Sequence, residues 1–162
     1  MKMLDKIKTV VVVDDCAENR TAAEKALLDF LPGVTVITFP SAKEFLEWFS
    51  VEGLVADLVL SDFSMETPDA GVSVAKSSYS KGIPATIITG GIGHGKPYVL
   101  LGYPKKMISG SKENPDTWAK ILTVVLGGDK SSNGLLTLLW LGKADRPLDV
   151  ATVCAITVTP LD

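Results

Sequence analysis

The sequence predicts an α/β protein with a parallel sheet that is covered by helices on both faces. The first apolar run, Lys8 to Val13, is continuous and β-branched, as expected for a strand buried on both sides. Strand-like runs then alternate along the chain with helical stripes of apolar residues, which is typical of a doubly wound sheet. Several of the apolar runs end in polar or acidic residues, where α/β proteins collect their functional groups.

Length and composition favour one domain with a short appendage. The chain has 162 residues, of which 46% are hydrophobic and 22% are charged, enough for one core and too few to need two. We expect a domain at residues 6–127 and a C-terminal extension at residues 128–162. This extension is predicted to be a β-hairpin or a disordered tail.

Charge and cysteine content exclude several partners and settings. The net charge of -3 comes without clustered Lys and Arg, so we expect no nucleic acid. The apolar run Val10 to Val13 is far shorter than the roughly 20 residues that span a bilayer, so we expect no membrane segment. Two cysteines without paired spacing favour a reducing cytoplasm.

The first two β-α units have clear boundaries. The strand at Lys8 to Val13 precedes a helical pattern from Ala17, which Pro32-Gly33 ends. A second strand is predicted at Val34 to Phe39. The Ser-x-x-Glu capping box at Ser41 to Glu44 then begins the second helix.

The third and fourth units are predicted from shorter patterns. A strand from about Ala56 to Leu60 stops at Ser61-Asp62, and Ala85 to Ile88 forms a fourth strand that stops at Thr89-Gly90. Between them Gly71 to Tyr79 is predicted to be helical.

The last unit is the least regular. Tyr98 to Tyr103 is apolar and is predicted to form the fifth strand, with Lys105-Lys106 after it. Asn114-Pro115 then caps a closing helix, which ends at Gly127-Gly128.

The carboxyl ends of the predicted strands carry a specific set of side chains, which we expect to meet in one crevice. They are Asp14 and Asp15 after strand one, Asp62 after strand three, Thr89 after strand four, and Lys105 or Lys106 after strand five. Converging carboxylates repel one another, and a hard cation with oxygen ligands, most naturally Mg²⁺, resolves the repulsion.

These groups match the needs of phosphoryl transfer, in which the protein positions the group and stabilises its charge. Asp62 would be the nucleophile that forms an aspartyl-phosphate. Mg²⁺, the Thr89 hydroxyl and a lysine ammonium would each neutralise or bind one phosphoryl oxygen.

Four segments together resemble the signature of receiver domains, the chemotaxis-type response regulators. The resemblance covers about residues 6–126 and is carried by VVVDD (Val11 to Asp15), LSDFSM (Leu60 to Met65), IPATIITG (Ile83 to Gly90) and GYPKK (Gly102 to Lys106). It implies a flavodoxin-like, five-stranded parallel sheet of strand order 2-1-3-4-5.

The resemblance also implies a function and its components. A histidine kinase or phosphotransfer protein would phosphorylate Asp62 in the presence of Mg²⁺, switching contacts with a downstream protein. The catalytic activity would be at most self-catalysed phosphotransfer and dephosphorylation. The backbone carbonyl of Ser64 would join the aspartates as a metal ligand. Among the lysines, Lys106 is preferred to Lys105 because the family places its lysine four residues after the Gly of a Gly-Tyr pair, although Met107 stands where receivers usually have Pro.

Two alternatives remain open. The chain could be a pseudo-receiver, an interaction module that is not phosphorylated. It could also be a nucleotide-binding enzyme, because Gly90 to Lys96 fits Gly-x-x-x-x-Gly-Lys, although Pro97 replaces the usual Ser or Thr. The glycines in this segment disfavour a full fourth helix, so the output surface of ordinary receivers is expected to be remodelled.

Overall fold

A computed structural model describes residues 7–51, 54–89, 107–126 and 152–158. Strands and helices alternate through most of this part of the chain. In chain order the elements are β1 (Thr9–Val13), α1 (Ala17–Phe30), β2 (Thr35–Phe39), α2 (Ala42–Phe49), β3 (Leu58–Ser61), α3 (Ala70–Ser80), β4 (Ala85–Thr89), β5 (Met107–Ser109), α4 (Pro115–Leu126) and β6 (Thr152–Val158).

The described strands form one sheet in the order β2-β1-β3-β4-β6-β5. The first four strands are parallel, and β6 runs antiparallel to both β4 and β5. The predicted fold class and the order 2-1-3-4 are therefore confirmed. The predicted pairing of the fourth strand with the fifth is wrong, because the β-branched run Thr152–Val158 takes the hydrogen-bonding edge of β4.

Strand β1 shows why the sheet is buried on both faces. Val10 and Val12 belong to a core under α1 and α4, whereas Val11 and Val13 belong to a second core under α2 and α3. All four valines have no exposed surface. The alternation of side chains along a strand explains how one apolar run serves two cores.

Several predicted boundaries match the structure. Helix α1 begins at Ala17, and in the capping box Ser41 Oγ accepts a hydrogen bond from the N–H of Glu44 at 3.1 Å. The fifth strand lies at Met107–Ser109. The run Tyr98 to Tyr103, predicted to be this strand, lies outside the described residues.

The C-terminal extension contributes a strand to the same sheet through Thr152–Val158. The rest of residues 128–162 lies outside the described part, so the domain boundary at residue 127 stays a prediction. Among the described helices, none combines the length and the apolar character needed to cross a bilayer.

Candidate functional site

The pairing of β1 with β3 brings together the acidic side chains at their carboxyl ends. Val13 pairs with Ser61, and the N–H of Asp62 donates to Val13 O at 2.7 Å. As a result, one carboxylate oxygen from each of Asp14, Asp15 and Asp62 lies within 4.8 Å of the others. The structure therefore brings these three predicted residues together.

Asp14 is held by the first turns of α1. Its side chain is buried, with Oδ1 accepting from the N–H of Cys16 at 2.9 Å and from Asn19 Nδ2 at 3.2 Å. Its backbone carbonyl accepts from Arg20 Nη1 at 2.7 Å. Asp15 is exposed, so the cluster has one fixed carboxylate and one that is open to water.

A buried lysine completes the cluster. Lys112 Nζ lies 2.8 Å from Asp14 Oδ2 and 3.0 Å from Asp62 Oδ1, and it donates to Ile88 O at 3.1 Å. Only 8% of its side chain is exposed. This single ammonium therefore neutralises charge on two carboxylates that follow different strands.

Lys112 is not among the predicted site residues, because the predicted lysine was sought directly after the apolar run Tyr98 to Tyr103. Lys105 and Lys106 lie outside the described residues, and the role given to Lys106 stays a prediction. A signal for Lys112 was present, since it follows the short run Met107–Ser109 and stands two residues before the helix cap Asn114. Lys112 therefore lies in the loop that connects β5 to α4.

The loop around Lys112 is fixed by α4. The buried indole of Trp118 donates to Lys112 O at 2.7 Å. Gly110 has a φ of 132° and sits so close to α4 that a Cβ would lie 2.2 Å from Thr117 Oγ1. Glycine is required there for both reasons, and the close packing directs Lys112 inward.

The charges at this site shift one another's pKa values. Burial raises the pKa of Asp62 to about 6, an effect that Lys112 opposes and Asp14 reinforces. Burial lowers the pKa of Lys112, but Asp62 and Asp14 raise it more strongly, so its net shift is upward. The lysine therefore remains charged, whereas Asp62 carries an unfavourable charge at neutral pH.

Among the described residues, one oxygen of Asp62 has hydrogen-bond partners and the other is available. Oδ1 accepts from the N–H of Phe63 at 2.8 Å as well as from Lys112. Within the described part of the chain, Oδ2 accepts no hydrogen bond. The side chain of Ser64 donates to Pro68 O at 2.7 Å, and the predicted role of its backbone carbonyl as a metal ligand stays a prediction.

The first turn of α3 packs directly against the backbone of Asp62 and Phe63. The N–H of Gly71 donates to Phe63 O at 2.8 Å, and a Cβ on Gly71 would lie 2.1 Å from Asp62 O. Only glycine allows this approach, so the backbone of Asp62 rests directly on the first turn of α3.

Thr89 is the last residue of β4, the strand next to β3. It therefore lies at the carboxyl edge of the sheet, as predicted, and its contact with a phosphoryl group stays a prediction. The loop Gly90 to Lys96 lies outside the described residues, and the nucleotide-binding alternative remains untested.

The donor set fits a hard divalent cation. Three carboxylates within 4.8 Å of one another offer oxygen ligands, which Mg²⁺ prefers. One of these, Asp15, is exposed to solvent, which gives a hydrated cation access to the cluster. The residues present therefore fit Mg²⁺ or another hard divalent cation.

Comparison with known proteins places the fold. No family model and no curated protein matches the chain. The chain is 25% identical to a response regulator receiver protein from Burkholderia phymatum, over 74% of this chain and 95% of that one, with a TM-score of 0.54. For the chemotaxis response regulator CheY4 of Vibrio cholerae the values are 21% identity, 75% and 100% coverage, and a TM-score of 0.49.

Other structural matches are partial. The chain spans 67% of the bacteriophytochrome response regulator AtBRR at 18% identity and a TM-score of 0.45. It spans just over half, 55% and 54%, of two further solved chains. The fold defines an α/β protein with a mainly parallel sheet and acidic side chains at the ends of β1 and β3. The chain has the fold of response-regulator receiver domains, in a divergent form.

Proposed function

We propose that this protein is a phosphoacceptor receiver of a two-component or phosphorelay system, with Asp62 as the phosphorylated residue. The receiver fold supports a signalling role of the response-regulator kind. The observation that carries the finer proposal is the position of Asp62, which lies beside two further carboxylates and 3.0 Å from a buried ammonium. A histidine kinase or phosphotransfer protein would be the donor, and an unidentified protein would read the switch.

The proposed chemistry uses the available oxygen of Asp62. Oδ2 attacks the phosphorus of a donor phosphohistidine, the P–O bond forms as the P–N bond breaks, and the leaving imidazole takes a proton from solvent. The Lys112 ammonium stabilises charge on the transferred group. The Thr89 hydroxyl donates to another of its oxygens. Water later attacks the phosphorus of the acyl phosphate, the P–O bond to Asp62 breaks, and inorganic phosphate leaves, which restores the carboxylate.

Mg²⁺ would be held by Asp14, Asp15, Asp62 and the carbonyl of Ser64. When bound, it supplies positive charge that offsets the repulsion between the carboxylates and the incoming phosphoryl group. The chain prepares for this by fixing Asp14 through the N–H of Cys16.

Incubation with Mg²⁺ and acetyl phosphate tests the proposal. Intact-mass spectrometry is expected to show the gain of one phosphoryl group on the wild type and none on Asp62→Asn. A folded wild-type protein that gains no mass would instead favour the pseudo-receiver alternative.

We also propose that Lys112, rather than Lys106, is the lysine that contacts the phosphoryl group. Lys112→Arg keeps the charge but moves its position, and we expect phosphorylation by acetyl phosphate to slow by at least about tenfold. The matched variant Lys106→Arg is expected to react like the wild type. The opposite pattern would return the role to Lys106.

A further inference from the structure

The residue four positions after Asp62 makes a contact that the phosphoryl-transfer chemistry does not use. Glu66 Oε1 accepts from the N–H of Ala42 at 2.9 Å, and Oε2 accepts from the N–H of Lys43 at 2.8 Å. These N–H groups begin α2, where no intrahelical partner exists and a negative charge is favoured. Glu66 therefore caps a helix that lies more than 20 residues earlier in the chain.

The first turn of α2 depends on this distant carboxylate. Its third N–H, that of Glu44, is satisfied locally by Ser41 Oγ. The other two side-chain bonds come from the loop after Asp62. Since α2 has only 8 residues, its start has little support from its own length.

The loop between Asp62 and α3 is internally tied. Ser64 Oγ donates to Pro68 O at 2.7 Å, and the N–H of Met65 donates to Thr67 O at 3.0 Å. At its base the N–H of Gly71 donates to Phe63 O at 2.8 Å. These bonds span Glu66 and tie its segment of the loop to Ser64 on one side and to Pro68 on the other.

We propose that Glu66 is a positioning residue that couples occupation of Asp62 to the first turn of α2. The inference rests on the proposed phosphoacceptor function. A cation that draws in the Ser64 carbonyl moves the loop toward the sheet edge and withdraws the Glu66 carboxylate from α2, and a phosphoryl group on Asp62 acts in the same direction. The N–H groups of Ala42 and Lys43 then lose their hydrogen-bond acceptor, so occupation of Asp62 destabilises the first turn of α2.

Amide exchange in the full-length protein tests the coupling. With Mg²⁺ and acetyl phosphate, NMR is expected to show that the amides of Ala42 and Lys43 exchange about tenfold faster, while intact mass reports phosphorylation separately. The amide of Glu44, bound by Ser41, is the internal reference. Mass gain with unchanged or slower exchange overturns the coupling and leaves the proposed function standing. Absence of mass gain overturns the proposed function, and the coupling with it.

Reciprocity gives a second test that needs only Mg²⁺. If occupation of the site breaks the Glu66 bonds, those bonds must oppose occupation, and removing them must favour it. Glu66→Gln is therefore expected to bind Mg²⁺ about fivefold more tightly than the wild type. Glu47→Gln, an exposed residue on the same helix, is expected to leave the affinity unchanged. If the cap had only a structural role, its removal would not tighten Mg²⁺ binding. Unchanged or weaker Mg²⁺ affinity in Glu66→Gln therefore overturns the proposal.

Discussion

Asp62 and Glu66 stand four residues apart in one loop, yet their charges have opposite effects on the fold. Burial raises the pKa of Asp62 to about 6 despite the nearby Lys112. For Glu66 burial is the largest single effect and raises the pKa, but hydrogen bonds from the backbone N–H groups of Lys43, Ala42 and Glu66 itself together outweigh it, so the net shift is downward. The fold therefore tolerates the charge on Asp62, whereas it gains from the charge on Glu66. This contrast separates a carboxylate whose charge destabilises the native state from one whose charge stabilises the start of a helix.

Removal of the buried ammonium should have the largest effect. Lys112→Met leaves Asp14 and Asp62 buried without their cation, so we expect the free energy of unfolding at pH 7 to fall by about 3–5 kcal/mol. Urea denaturation measures the change. The double variant Lys112→Met/Asp62→Asn should recover part of the loss, and a single variant as stable as the wild type would contradict the ion pairs.

Asp62→Asn should act in the opposite direction. The pKa of Asp62 rises from 3.8 to about 6 on folding, so its ionised form is disfavoured in the native state. Without divalent cations we expect the variant to be more stable than the wild type by about 1–3 kcal/mol above pH 7. Added Mg²⁺ should raise the melting temperature of the wild type and narrow the difference. A variant less stable than the wild type would show that the charge on Asp62 does not destabilise the native state.

The same pKa shift predicts a pH dependence with a definite sign. The native state holds the Asp62 proton more tightly than the unfolded state, so this group stabilises the fold fully below the unfolded pKa of 3.8. The contribution falls as the pH rises and is lost above about 6. The stability difference between wild type and Asp62→Asn, measured by urea unfolding across this window, should grow with pH. A difference that stays constant would argue against the shifted pKa.

Glu66→Gln should give the smallest effect. It removes a charge from the start of α2 and leaves one of two acceptors, and because Glu66 is exposed solvent screening limits the loss to about 0.5–1 kcal/mol. Glu47→Gln serves as the control and should change the free energy of unfolding little. Equal losses in both variants would show that the cap contributes nothing specific.

The sequence predicted the part of the fold that local patterns determine. The run Lys8 to Val13 and the Ser41 cap are local patterns of a few residues, and the structure has the strand at Thr9–Val13 and the cap at Ser41. The insertion of β6 beside β4 could not be predicted in this way, because strand pairing between segments more than 60 residues apart leaves no local pattern.

In the candidate site, too, the residues that follow local patterns were predicted and those placed by distant contacts were not. Asp14, Asp15 and Asp62 converge as expected, since the ends of adjacent parallel strands meet at one edge. Lys112 was missed because the position of its strand was judged from the apolar run at residues 98–103, while the short strand Met107–Ser109 gave a weaker pattern. Glu66 was missed because a cap supplied from a distant loop has no spacing rule.

The ammonium of Lys112 gives this protein a counter-ion that cannot diffuse away. Because it already lies between Asp14 and Asp62, the native fold holds one positive charge among these carboxylates before any divalent ion arrives. Under the proposed function, Mg²⁺ would join a site whose negative charge the chain itself has already partly balanced.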